Sequence, residues 1–146
     1  MLRLLCCYLL LVLSLAACTS KPDHHRASDA APSDDPNQAL YNEVMAVHDE
    51  AMPQMDVLYR MKVALQDRIA QTATMTDEEK KALEKRIAAL DSTNNLMMVW
   101  MREFQPLPDS TDQEAARAYL ESEMEKIKKV REAMFDLAER EKAAGN

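Results

Sequence analysis

The sequence predicts an all-α protein, an elongated antiparallel up-down-up three-helix bundle whose first helix is kinked or broken at Pro53. Three observations carry this reading. Apolar residues recur at alternating spacings of four and three, helix start signals stand at three places, and a single Gly in 146 residues leaves nothing for β-turns or a phosphate loop.

The first helix is expected over about 36 to 71. Asp35 offers an N-cap and Pro36 takes the first helical position, where its missing N–H costs nothing. The second, about 77 to 104, opens on a capping box in which Thr76 accepts from the Glu79 backbone while the Glu79 side chain reaches back. The third, about 112 to 143, starts within Ser110-Thr111-Asp112-Gln113-Glu114, which allows the same box in two registers. Gln71 to Met75 and Pro106-Leu107-Pro108 interrupt the apolar period between helices, and Gly145 is read as a stop.

The predicted core follows from the period. Leu83, Ile87, Leu90, Asn94, Met97, Met101 and Phe104 form a coiled-coil seam with one polar position. Val44, His48, Ala51, Met55, Leu58, Leu65 and Ile69 face it from the first helix, and Ala116, Leu120, Met124, Ile127, Val130, Met134 and Leu137 from the third. The opposite faces are charged, with Asp77 to Lys81, Glu125 to Lys129 and Asp136 to Arg140 in the favourable i,i+4 order. Short connections force neighbouring helices antiparallel. Pairing across the first turn sets His48 level with Trp100 and Met52 with Leu96 and Met97, while the second turn sets Tyr119 level with Met97 and Ala115 with Met101.

Residues 1–17 read as a lipoprotein signal peptide. Arg3 supplies the positive charge, Leu4 to Leu13 is an apolar run too short to span a bilayer, and Leu15-Ala16-Ala17-Cys18 is similar to a bacterial lipobox. Cys18 is then the lipid attachment point, its acyl chains (palmitate among them) anchoring the protein to the membrane. Residues 18–35 make a flexible tether without an aliphatic side chain larger than Ala, and residues 36–144 make the bundle. The 17 residues after Cys18 reach roughly 20 to 25 Å as a coil, enough to hold a domain clear of the headgroups. His24-His25 lies in this tether with no further ligand at a plausible spacing. The expected location is the bacterial cell envelope, lipid-anchored, at the outer membrane.

Cys6 and Cys7 fall in the signal, so the mature chain carries neither a free thiol nor a disulfide, and its stability rests on burial alone. Loss of Arg3 leaves 17 basic against 25 acidic residues, and the formal charge moves from -7 to -8. An acidic chain gains nothing from phosphates, which excludes nucleic acid as a partner. Asp49 and Glu50 are paired acids without an activated nucleophile or second catalytic partner, so no catalytic residue is assigned and the protein is not expected to be an enzyme.

The remaining chemistry lies in "VMAVHDEAMPQMDVLYRM". His48 and Met52 share a helical face, and pairing brings Met97 and Met101 toward them. Thioethers with one imidazole suit soft Cu(I), with Trp100 offering a face for a cation. Met is equally a flexible gap-filler that packs well against aromatics, so the same residues read as core. Pro53 lacks the donor that would bond the Asp49 carbonyl, a defect of about 3 kcal/mol in a straight helix.

"EVMAVHDEAMPQMDVLYRMK", "NNLMMVWMREFQP" and "YLESEMEKIKKVREAMFDLAEREK" resemble three blocks of a family of small bacterial lipoproteins, with H-D-E-x-M-P-x-M at His48 to Met55 and M-M-x-W-M at Met97 to Met101. Some members carry a label after viral A-type inclusion proteins, which reflects generic coiled-coil similarity. The resemblance covers about residues 40 to 142 and departs at Gln54, where the family commonly has Lys. It implies an envelope lipoprotein and brings no activity, substrate or cofactor. The expectation is therefore a membrane-tethered helical module that binds another envelope protein or serves a structural role, with no cofactor beyond the covalent lipid. The alternative is a periplasmic copper-type binder or sensor using His48, Met52, Met97 and Met101.

Overall fold

The computed structural model describes residues 35–108 and 110–145, all within one unit of the chain. The expected signal peptide and lipid attachment at Cys18, and His24-His25, lie outside the described residues. Three helices make up the unit: α1, Pro36–Gln71; α2, Asp77–Glu103; and α3, Gln113–Gly145. Among the described residues there is no strand.

Each boundary has a local cause. Asp35 Oδ1 accepts from the Asn37 N–H at 2.9 Å, with Pro36 opening α1. The predicted capping box forms in full at α2: Thr76 Oγ1 accepts from the Glu79 N–H at 3.2 Å and Glu79 Oε2 accepts from the Thr76 N–H at 2.9 Å. The two bonds from the Thr76 backbone and hydroxyl hold the Glu79 carboxyl below its ordinary range, with Arg68 adding a smaller attraction. At α3 neither expected capping-box register forms; the cap falls on Asp112, whose Oδ1 accepts from the N–H groups of Glu114 and Ala115. Pro106 stops α2, because the residue before a proline is driven to extended backbone, and Phe104 is already extended at φ -66°, ψ 120°. Gly145 is the last helical residue, with no left-handed backbone, rather than a stop beyond the helix.

Pro53 does not break α1, which is helical without interruption from Pro36 to Gln71. Pro53 faces solvent while Ala51 and Leu58 on either side are fully buried. Water can satisfy the carbonyl that the ring leaves unpaired, and apolar burial on the inner face offsets the defect.

Buried side chains recur every seven residues along each helix: Val44, Ala51, Leu58 and Leu65 on α1; Leu83, Leu90 and Met97 on α2; Leu120, Ile127 and Met134 on α3. A strict seven-residue repeat keeps one seam facing its neighbours along the whole bundle. Ile87, Met101, Phe104 and Val130 are half-buried against this core, while Trp100, Glu123 and Ala138 join the buried residues unforeseen from the period.

Cross-helix contacts fix the directions. His48 meets Trp100, Asn94 Nδ2 donates to the Met55 carbonyl at 3.1 Å and Lys62 pairs with Asp91 at 2.7 Å, so α1 and α2 are antiparallel in the expected register. The second turn differs. Tyr119 lies beside Gln105 and Phe104 rather than Met97, about two helical turns away from the predicted level. The reason is that residues 104–108 run on without helix before the chain turns where the Thr111 N–H meets the Pro108 carbonyl, so α3 starts well beyond the end of α2. The start of α3 reaches the start of α1, where Asn37 Nδ2 donates to the Gln113 carbonyl at 2.9 Å and to its Oε1 at 2.6 Å.

Surface charges pair differently from expectation. The pairs are Asp56 with Arg60, Lys80 with Glu84, Arg117 with Glu121, Glu123 with Lys126 and Glu139 with Lys142, while Arg140 donates to the Asp136 carbonyl instead of its carboxylate. Exposed pairs contribute little individually, so these choices leave the fold unaffected. Arg86 and Glu141 form a more sheltered link at 2.7 Å that ties α2 to the end of α3.

Met97→Ala removes a fully buried thioether and is expected to lower stability by about 2–5 kcal/mol, read as a fall in the urea midpoint. An unchanged midpoint would contradict the seam. Because the Glu79 pKa is depressed, its contribution is present above the ordinary glutamate pKa and lost as pH falls through the lowered one. The difference in urea midpoint between wild type and Glu79→Ala should therefore shift against wild type on moving from neutral to acid pH.

Candidate functional site

Helix α2 ends at Glu103, well before α1 and α3 reach their shared end, and the gap is filled by rings. Trp100, on the last turn of α2, stacks on Phe104 with centroids 4.9 Å apart and planes 26° apart. Phe104 in turn meets Tyr41 of α1 at 6.0 Å and Tyr119 of α3 at 6.1 Å. His48 sits on the other side of Trp100 at 5.5 Å. Centroid separations of 4.9 to 6.1 Å fall in the range in which aromatic pairs attract. The ladder therefore joins all three helices through one residue, Phe104.

The non-helical strip of residues 104–108 is held against this ladder. Tyr119 Oη accepts from the Gln105 N–H at 2.8 Å, and the Thr111 N–H donates to the Pro108 carbonyl at 2.9 Å. Between strip and helix ends lies a cleft of about 520 Å³, floored by Tyr41, Phe104 and Tyr119 and walled by Pro106, Pro108, Gln105, Thr111 and Gln113. Ligand sites typically occupy ~300–1,000 Å³, so this cleft is of sufficient size for a small molecule.

The residues singled out from the sequence lie deeper in the bundle. His48 Nδ1 is 2.9 Å from Asp49 Oδ1. A carboxylate only accepts, so Nδ1 carries the proton and, in the neutral ring, Nε2 keeps the lone pair. Met97 is fully buried in the core, and Met52 and Met101 pack against the same cluster. Met98, the neighbour of Met97 in the M-M-x-W-M block, points to solvent and is 45 % exposed. Trp100 is only 5 % exposed, and its indole N–H is buried without a protein partner. Among the described residues no group of three or more His, Cys, Asp or Glu converges as metal ligands.

Glu123 is the one buried charged residue of the described part, 3 % exposed, and Lys126 reaches over it at 2.7 Å. The hydrogen bond and charge of Glu123 hold the Lys126 ammonium above its ordinary range, with Tyr119 and Glu103 adding smaller attractions.

No protein-family model matches this chain, and neither a curated protein nor a solved structure matches it. The cleft residues Tyr41, Gln105, Thr111 and Gln113 were not singled out from the sequence. The signal for them is positional: Tyr41, Trp100, Phe104 and Tyr119 all fall near helix ends that an up-down-up path brings together.

Phe104→Ala takes out the member common to three ring contacts and is expected to cost about 2 kcal/mol. It should also shift the emission of Trp100, the only tryptophan, to longer wavelength as water reaches its exposed face. Unchanged emission would show that Phe104 does not cover the indole.

Proposed function

We propose that this protein is a lipid-tethered outer-membrane lipoprotein whose bundle acts as a non-enzymatic interaction module for another envelope protein. The observation that carries the reading is Leu15-Ala16-Ala17-Cys18 directly behind the apolar run Leu4 to Leu13. Small residues before a cysteine at that distance suit processing and lipid transfer to the thiol. Among the described residues no helix is long and apolar enough to cross a membrane, so attachment in this reading rests on Cys18. The interaction role is supported by large apolar side chains on the bundle surface: Tyr59 is 55 % exposed, Leu96 44 % and Met98 45 %. Covering any of them by a partner would remove apolar surface from water.

Metabolic labelling with an alkyne fatty acid tests the anchor. Wild type should incorporate label and fractionate with membranes, and Cys18→Ala should do neither; an unlabelled wild type would defeat the reading. For the partner, photocrosslinkers placed at Leu96 and Met98 in intact cells should trap an envelope protein, whereas one placed at Lys85 should not.

A second reading, soft-metal binding by His48, Met52, Met97 and Met101, is favoured by one observation. Asp49 Oδ1 accepts a hydrogen bond from the Nδ1–H of His48, which leaves Nε2 available as a ligand in the manner of carboxylate-oriented metal histidines. Competition with a Cu(I) chelator tests it: wild type should take copper from the chelator, and the His48→Ala, Met97→Leu double variant should not.

A further inference from the structure

We propose that the cleft between the starts of α1 and α3 is a binding subsite for a neutral saccharide. Its two ends and its floor decide the ligand class. Both helix starts that open here present the positive end of a helix dipole, which by itself would attract an anion. Each is already occupied by a carboxylate of the chain, Asp35 on α1 and Asp112 on α3. Among the described residues no Lys or Arg lines the cleft. Among these residues an anionic ligand therefore meets a carboxylate at each helix start and no cation, and a cationic ligand finds one lining carboxylate, Asp35, engaged with its own helix.

What remains is uncharged. The Tyr41 hydroxyl, the Gln105 carboxamide and the Thr111 hydroxyl line the cleft without a side-chain hydrogen bond among the described residues, and Gln113 uses only its oxygen, on Asn37. Hydroxyls and carboxamides each donate and accept. A set of such groups with no fixed polarity is complementary to a ligand whose own hydroxyls also do both. Beneath them, Tyr41 and Tyr119 end the aromatic ladder, each with a single ring partner, Phe104. The C–H groups on one face of a pyranose carry partial positive charge and lie well on the negative face of an aromatic ring. Apolar floor and neutral amphoteric walls together are what a sugar ring presents in reverse. A proline-rich peptide would use the aromatic floor but has few side-chain hydroxyls for the walls, and it is the competing outcome.

The structure supplies its own reporter, because Trp100 stacks on the same Phe104 that floors the cleft. The full chain, purified in a non-glycosidic detergent, is titrated with tri-N-acetylchitotriose and with maltotriose. Amide resonances of Gln105 and Thr111 and the emission of Trp100 are followed. At least one saccharide should shift them saturably, Tyr41→Ala should weaken that binding by about tenfold, and Gln105→Ala should weaken it as well. Lys85→Ala, on a solvent-facing part of α2 outside the cleft, should leave it unchanged. Circular dichroism and the urea midpoint of each variant separate lost binding from lost folding. The proposal is overturned if neither saccharide moves the cleft resonances. It is equally overturned if Lys85→Ala weakens binding as much as Tyr41→Ala, or if a proline-rich peptide saturates the cleft while both sugars fail.

Discussion

The length mismatch between helices shapes the distinctive end of this bundle. Helix α1 has 36 residues and α2 has 27, so a bundle closed at one end by the short turn of residues 72–76 leaves α2 about 13 Å short at the other. Helix α3, at 33 residues, runs the full way to the start of α1, where Asn37 and Gln113 join. The chain must therefore cross the vacant stretch without helix, and Pro106 and Pro108 hold it extended while it does so. The volume that a longer α2 would have filled with aliphatic side chains is filled by Phe104 and its ring neighbours instead. The cleft is what the rings leave open.

At every other level the bundle behaves as an antiparallel coiled coil with one register pin. Seven-residue spacing of the buried side chains holds the seam, but apolar contacts alone tolerate sliding by a turn. Asn94 removes that freedom between α1 and α2, since its Nδ2 bonds to a single carbonyl, that of Met55. Its Oδ1 is buried without a protein partner, a cost of about 1–3 kcal/mol of the kind that buried asparagines bear in exchange for register. Glu50 and Arg131, 2.8 Å apart though poorly aimed for a hydrogen bond, set α1 beside α3 more loosely.

The candidate site was partly legible. His48 and Trp100 meet as the pairing across the first turn requires, because that turn is short and its capping box leaves no slack. Tyr119 was misplaced by two turns because a Pro-Leu-Pro segment was taken for a turn centre, whereas its stiffness makes it a spacer. The cleft side chains were missed for the same reason: Gln105, Thr111 and Gln113 are unremarkable polar residues until the strip is known to fold back over Tyr41. Within the M-M-x-W-M block Met97 is core and Met98 is solvent-facing, since adjacent helical residues point 100° apart.

The sequence by itself determined the helices, their caps and their buried faces, because those depend on local chemistry and on a period that repeats along each element. Thr76 with Glu79, Asp35 with Pro36 and the seven-residue apolar spacing need no knowledge of the rest of the chain. Only the tertiary structure decided that α1 continues through Pro53, that α3 overshoots α2, and that Tyr41, Phe104 and Tyr119 converge. These depend on how far a connection reaches and on which face of a proline meets water. Both are properties of the packed chain, with no counterpart in the pattern of any one helix.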